Sequence, residues 1–204
     1  MHIAVAGNIG SGKTTLTRML ARHYGWEPRF EAVVENPYLE NYYEDIKRWS
    51  FNMEVFFLKQ RFLDVLNIAS TPNTVIQDRS IFEGVYVFVE NNYLQGNLSE
   101  RDYHTFIALF EQLMGLVKEP DLMIYLRASL SHLFSNIQKR NRECEKTIRI
   151  DYLQGLNERY EDFITHRYKG KVLIIDKDPL DFEHNPLDLR FITDKIDQQL
   201  FGLF

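Results

Sequence analysis

The sequence predicts an α/β fold with a five-stranded parallel sheet flanked by helices, and three observations carry that expectation. Short apolar, β-rich runs alternate with longer helical ones, the pattern of a parallel sheet with crossover helices. The segment Gly7-Asn-Ile-Gly-Ser-Gly-Lys13-Thr14 joins the first such run to a helical one. The chain has 204 residues, 45% of them hydrophobic, with no internal repeat or low-complexity stretch, so residues 1–204 read as one domain around one core.

The expected strands are His2–Ala6, Pro28–Val34, Thr74–Asp78, Leu122–Leu126 and Lys171–Asp176. Helices fill the gaps. Lys13–Tyr24 stops at Gly25, a natural C-terminal residue. Phe51, Val55, Leu58, Phe62, Val65 and Ala69 recur at helical spacing and predict a long helix. Ser99-Glu-Arg-Asp102 has the form of a helix start, and Phe106, Leu109, Phe110, Leu113, Leu116 and Val117 continue it with a wide apolar face. Such a face fits either ordinary core packing or burial against a second subunit. The stretch from Gln138 to Ile150 holds Lys139, Arg140, Arg142, Glu143, Glu145, Lys146 and Arg149 and few apolar residues, so it reads as a short arginine-bearing lid or as a solvated charged face.

Composition narrows the possible partners. A net charge of −5 with no basic block argues against nucleic acid. No apolar run is long enough to span a membrane, and the first, Ile3 to Ala6, is too short for a signal peptide. The single cysteine, Cys144, rules out an intrachain disulfide, and no His/Cys cluster suggests zinc. A soluble, cytoplasmic setting is the expectation.

The glycine-rich segment matches G-x-x-x-x-G-K-[ST] in the strand–loop–helix setting that this pattern requires. Its glycines let backbone N–H groups curl inward, and the following helix adds partial positive charge, so an anion is held without a basic surface. Gly7, Asn8, Ile9, Gly10, Ser11, Gly12, Lys13, Thr14 and the adjoining Thr15 are therefore expected at the phosphates of ATP. Lys13 is suited to the β- and γ-phosphates and the Thr14 hydroxyl to Mg²⁺. The pattern implies nucleotide binding but leaves open what happens to the nucleotide.

Ligands of open α/β sheets bind beyond the carboxyl ends of the strands. Glu31 and Asp78 occupy those ends in the second and third expected strands, with Arg79 next in the chain. Phosphoryl transfer needs a group to take the acceptor proton, oxygen ligands for the metal, and positive charge near the transferring group. These residues can divide those tasks, with Glu35 as a competing base.

Five segments together resemble the deoxyribonucleoside kinase family, in particular its bacterial deoxyadenosine and deoxyguanosine kinase branch. They are Gly7 to Thr14, Glu31 through Glu35-Asn-Pro-Tyr38 to Tyr43, Trp49-Ser-Phe51, Asp78-Arg79-Ser80, and Arg140-Asn-Arg142 to Glu145, and the similarity spans nearly the whole chain. The resemblance implies a P-loop kinase fold, a dimer built on helix packing, and transfer of the ATP γ-phosphate to the 5′-hydroxyl of a deoxynucleoside. It implies that Glu31 accepts the hydroxyl proton, that Arg79 steadies Glu31 and the phosphoryl group, and that Asp78 is tied to magnesium. It places Tyr43 and Glu145 on the sugar 3′-hydroxyl, Arg140 and Arg142 on the ATP phosphates, and Phe88 against the base. Phe182 aligns loosely with a residue on the donor adenine. The chain departs from the family at Glu54, where Gln is frequent, at Gly84, where an acidic residue is common, at Asn136, where a lid arginine stands, and at Cys144, where a glutamate is usual. Arg127 and Lys139 are the candidates to replace the missing arginine.

Glu54 and Arg61 lie two helical turns apart on one face, which suits either a surface ion pair or a base pocket. The resemblance places both at the base. A carboxylate accepts and a guanidinium donates. That pair suits guanine, with its N–H donors and its O6 and N7 acceptors, slightly better than adenine, and thymine less well. Gly84 is read as leaving room for a purine. Two other functions compete: a nucleoside monophosphate kinase, whose charged acceptor a nearby Glu31 would repel, and a nucleotide-dependent switch without transfer activity, which would have no use for Tyr43, Glu145 and Glu54.

Overall fold

The computed structural model describes residues 1–30, 36–142 and 148–202, and of Tyr43 the backbone but not the side chain. Its five parallel strands run in the order β2-β3-β1-β4-β5: β1 His2–Gly7, β2 Glu27–Arg29, β3 Val75–Asp78, β4 Leu122–Arg127 and β5 Val172–Asp176. The central strands have the composition that a sheet covered on both faces demands. Every residue of β1 and β3 is buried, with no apolar–polar alternation. β2 is shorter than the expected Pro28–Val34: it begins at Glu27 and pairs with β3 as far as Arg29, while 31–35 lie outside the described residues.

The helices are α1 Lys13–Tyr24, α2 Leu39–Glu44, α3 Ile46–Ser70, α4 Ile81–Glu83, α5 Glu90–Leu94, α6 Glu100–Met114, α7 Leu130–Arg140, α8 Ile150–Asp162 and α9 Pro186–Phe201. π-helical segments at Gly84–Val89 and Phe163–Arg167 follow α4 and α8. Local chemistry sets most of the ends. α1 stops at Gly25 in the left-handed conformation, whose N–H reaches the Ala21 carbonyl. α3 begins five residues before Phe51 because the Asp45 carboxylate accepts from Arg48 N at 3.0 Å. Ser99 caps α6 by accepting from Asp102 N at 3.1 Å, as its sequence pattern suggests. α6 ends at Met114, so Leu116 and Val117 continue the apolar run but not the helix.

Two apolar clusters lie on opposite sides of the sheet. One joins α1 and α9 to the sheet through Leu16, Leu20, Ile192 and Ile196. The other gathers Leu58, Val65, Val85, Phe106, Phe110, Tyr160 and Phe163 from α3, α6, α8 and the π-helical segments. Of the expected α6 face, Phe106 and Phe110 turn into this core, while Leu109 stays 42% exposed. Among the described residues no helix is long and apolar enough to cross a membrane.

Candidate active site

The phosphate loop hangs from the carboxyl end of β1. Gly10 has φ +84°, and a Cβ there would lie 2.7 Å from the Leu133 carbonyl, so glycine is required for both conformation and space. Gly12 has φ +93° and serves as the N-cap of α1. Lys13 Nζ donates to the Asn8 carbonyl at 3.0 Å, which also accepts from Ser11 N, so the ammonium folds over the loop. Two further contacts brace the loop from outside. Asn8 Nδ2 donates to Leu153 O and to Asn157 Oδ1 of α8, at 3.0 and 2.6 Å. Asn136 Nδ2 of α7 donates to Gly10 O at 2.8 Å. The residue that stands where the family has a lid arginine thus supports the loop backbone.

Among the described residues the loop meets the end of β3 through a side-chain hydrogen bond. The Thr14 hydroxyl donates to Asp78 Oδ2 at 2.5 Å. A hydroxyl and a carboxylate converging beside a lysine are hard oxygen ligands of the kind Mg²⁺ prefers, so the residues fit that ion. The next residue, Arg79, has φ +73° in the left-handed region, which costs a side-chain-bearing residue about 1 kcal/mol. Ser80 and Glu83 hold the chain there with a reciprocal cap: Ser80 Oγ accepts from Glu83 N, and Glu83 Oε2 accepts from Ser80 N at 2.6 Å. The Arg79 guanidinium donates to the Tyr160 hydroxyl at 3.1 Å and sits 4.4 Å from the centroid of the Phe88 ring. Phe88, expected against the base, therefore packs against Arg79.

Glu54 and Arg61 are 2% and 7% exposed, which removes the surface ion-pair reading. Asn92 Nδ2 donates to Glu54 Oε1 at 3.2 Å, and Asn92 Oδ1 accepts from the Tyr42 hydroxyl. Burial pushes the Tyr42 phenol up to about 12, and the Glu54 carboxylate adds to that rise. Arg61 lies across Phe57, 4.9 Å from the ring centroid, and lines a cavity of about 250 Å³ with Gln77, Asp78 and Arg79. The space at Gly84 is taken: a Cβ there would lie 2.4 Å from Arg61 Nη1. The missing side chain makes room for the guanidinium, where the sequence suggested room for a purine.

The structure thus brings together Gly7 to Thr15, Asp78, Arg79, Phe88 and Arg61, and ties Glu54 of α3 to Asn92 of α5. Glu31, Glu35 and Glu145 lie outside the described residues, as does the Tyr43 side chain. Arg140 ends α7 and Arg142 follows it, both exposed. Arg127, a candidate to replace the missing arginine, ends β4, is bound bidentately by Glu161 at 3.0 Å and lies 3.5 Å from Asp176. Phe182, 2% exposed, is packed into the α1–α9 core with its ring 3.4 Å from where a Gly12 Cβ would stand, so it is not presented to a donor base. Glu83 and Tyr160 were not visible as site residues in the sequence, although Ser80-x-x-Glu83 carries the capping signature. Nothing in the local sequence singles out Asn92.

A model described as deoxynucleoside kinase matches residues 3–200. The chain belongs to the deoxynucleoside kinase family. It is 35% identical to a deoxyadenosine/deoxycytidine kinase of Bacillus subtilis, with 95% of this chain and 90% of that one aligned. A deoxyguanosine kinase of the same organism is also 35% identical, over 94% of this chain and 93% of the relative. Among solved structures, a deoxyadenosine kinase from M. mycoides with bound dATP superposes with a TM-score of 0.86 at 32% identity, covering 97% of this chain and all of that one. The same enzyme with products dCMP and dCDP gives a TM-score of 0.87 at 31% identity. The P-loop kinase fold and an ATP-dependent deoxynucleoside kinase activity follow for this chain.

Proposed function

We propose that this kinase prefers a purine deoxynucleoside, guanine slightly ahead of adenine, and that Glu31 takes the proton of the 5′-hydroxyl as its oxygen attacks the γ-phosphorus of ATP. The observation that carries the reading is the contact of Thr14 with Asp78, which sets the phosphate loop directly against the Asp78–Arg79 turn. Phosphates held by Gly7 to Thr15 then lie beside Arg79, whose charge offsets that developing on the transferred group. Thr14 and Asp78 would hold Mg²⁺, which supplies charge neutralisation at the phosphates when bound. Glu31 directly follows Phe30 beyond the end of β2, next in the sheet to β3. Tyr43 and Glu145 would hold the 3′-hydroxyl, and Arg140 and Arg142, on a lid of about residues 138–150, would close over the phosphates.

Base preference rests on the buried pair. Glu54 offers acceptors to guanine N1–H and N2–H₂, and Arg61 offers donors to O6 and N7. Because both are desolvated, a base whose donors and acceptors match them should be favoured over one whose polar edge does not. We further propose that the protein acts in the cytoplasm, within a single domain, as a homodimer with no nucleic-acid or membrane partner. Leu63 and Leu66 of α3 and Leu109 of α6, helices in mutual contact, leave apolar side chains in solvent that a second copy would cover.

Transfer of labelled phosphate from ATP to each of the four deoxynucleosides, and to deoxynucleoside monophosphates, tests the reading. Purine deoxynucleosides should be turned over fastest and monophosphates not at all. Thymidine faster than either purine would remove the assignment of Glu54 and Arg61 to the base.

A further inference from the structure

Tyr160 lies on α8, more than eighty positions along the chain from Arg79, yet its hydroxyl is the centre of a fully buried polar cluster. It accepts from Arg79 Nη1 at 3.1 Å and donates to Glu83 Oε1 at 2.8 Å. Both Tyr160 and Glu83 have no solvent exposure. The same Glu83 oxygen accepts from Gly7 N, the first amide of the phosphate loop, at 3.3 Å, and lies 3.9 Å from Arg79 Nη1. The other oxygen holds Ser80 N. The ring is clamped from both sides, stacked on Tyr125 with planes 13° apart and met edge-on by Phe88 at 90°.

We propose that Tyr160, acting with Glu83, is a positioning residue for phosphoryl transfer: it fixes the Arg79 guanidinium relative to the phosphate loop. A phenol is suited to this because one oxygen must donate to a carboxylate and accept from a guanidinium at once. Burial and the neighbouring Glu83 charge push its pKa well up, so it keeps the donated proton throughout the working pH range. Arg79 is a long side chain on a left-handed backbone position. Among the described contacts, the phenol oxygen gives its guanidinium a hydrogen bond at 3.1 Å, against a looser 3.9 Å approach to Glu83. Glu83 links the two halves, since one carboxylate oxygen touches both the Gly7 amide and the tyrosine that holds Arg79. α8 braces the loop a second time through Asn157, one turn from Tyr160, so a single helix face holds the loop and the arginine.

The inference rests on the assignment of Arg79 to the transferring phosphoryl group, and the test separates the two. Steady-state kinetics would be measured on Tyr160→Phe, Arg79→Lys and the double variant. Tyr160→Phe should lower kcat roughly ten- to a hundredfold, as expected for a lost hydrogen bond to a charged group, with the nucleoside KM within about twofold of wild type. In the Arg79→Lys background the same change should cost little more, because the group it orients is already gone. A purely structural tyrosine would instead give losses that multiply in the double variant. Normal kcat in Tyr160→Phe, or multiplying losses, overturns the relay while leaving Arg79 in place. Normal kcat in Arg79→Lys removes the arginine from the reaction and the relay with it. Should Tyr160→Phe fail to fold, Glu83→Gln, which keeps the size and an acceptor oxygen, carries the test with the same expected coupling to Arg79→Lys.

Discussion

The two halves of the proposed active site are built in opposite ways. The donor half is contiguous: Gly7 to Thr15 supply amides, lysine and hydroxyl within one strand–loop–helix unit, which distant residues such as Asp78, Glu83, Asn136 and Asn157 only brace. The acceptor half is assembled from α3, the turn after β3, the π-helical segment and α8, and most of its contacts join residues more than thirty positions apart. Local backbone geometry makes a phosphate cradle, whereas recognition of a base and steering of an arginine need side chains that only tertiary packing brings together. The donor half should therefore fail all at once when one of its groups is removed, and the acceptor half should fail selectively, by substrate.

Removal of the loop ammonium is the largest expected effect. Lys13→Ala takes away the positive charge folded over the loop and leaves the Asn8 carbonyl one donor short. On the proposed assignment of Lys13 to the donor phosphates, it should depress kcat on the order of 10²- to 10³-fold, equally for every deoxynucleoside. A panel of kcat values across the four nucleosides checks this. A loss confined to one base would break the division between the halves.

Glu54→Gln should do the reverse. It keeps size and the acceptor to Asn92 but turns one oxygen into a donor and deletes the buried charge. The ratio of kcat/KM for deoxyguanosine to that for deoxyadenosine should fall about ten- to a hundredfold, with the better substrate losing most of the difference in KM. An unchanged ratio would place Glu54 outside base recognition and leave it as a brace between α3 and α5.

This contrast also explains what was readable in advance. Strands β1, β3, β4 and β5, α1 with its stop at Gly25, the cap of α6 at Ser99, and the phosphate loop all carry local sequence signals, and the structure places them close to where those signals indicate, whereas β2 is described only over Glu27–Arg29. The burial of Glu54 and Arg61 was less legible, since helical spacing alone makes a salt bridge in solvent as reasonable as a pocket. Asn92 behind Glu54, Tyr160 behind Arg79 and Asn136 under Gly10 could not be read at all, because an uncharged side chain on a helix gives no sign of its distant partner. The contacts of Phe88 with Arg79 and of Arg127 with Glu161 have the same origin: the type of residue was informative, but its partner lies elsewhere along the chain.

Gly84 sharpens the acceptor half at a smaller scale. Gly84→Ala puts a methyl group into the place of Arg61 Nη1, at the flexible end of a long side chain, so the guanidinium should swing aside rather than the helix break. The expected result is a several-fold rise in nucleoside KM, larger for guanine than for adenine, with the melting temperature changed by a few degrees at most. A large loss of stability with unchanged KM would show that the glycine serves the backbone of the π-helical segment, and not the space Arg61 fills.

The smallest effect lies outside both halves, at the amino end of the sheet. His2 is buried at the start of β1, with its Nε2 2.9 Å from Gln77 Oε1, and burial lowers its pKa below the usual 6.5 despite the opposing influence of Gln77 and Asp121. In the unfolded chain His2 takes up a proton near 6.5, while in the folded chain it resists until lower pH. The unfolded state therefore binds more protons just below 6.5, and this contribution to stability, full at neutral pH, is lost as the pH falls through that window. Melting curves at pH 7 and pH 5 on the wild type and on His2→Gln, whose amide stays neutral, should show a shallower acid decline in the variant. Because Gln77 belongs to β3 one residue before Asp78, kinetics on the same variant at pH 7 show whether the amino end of the sheet is independent of the site: kcat should be unchanged, and a fall in kcat with normal melting would tie His2 to the alignment of Asp78.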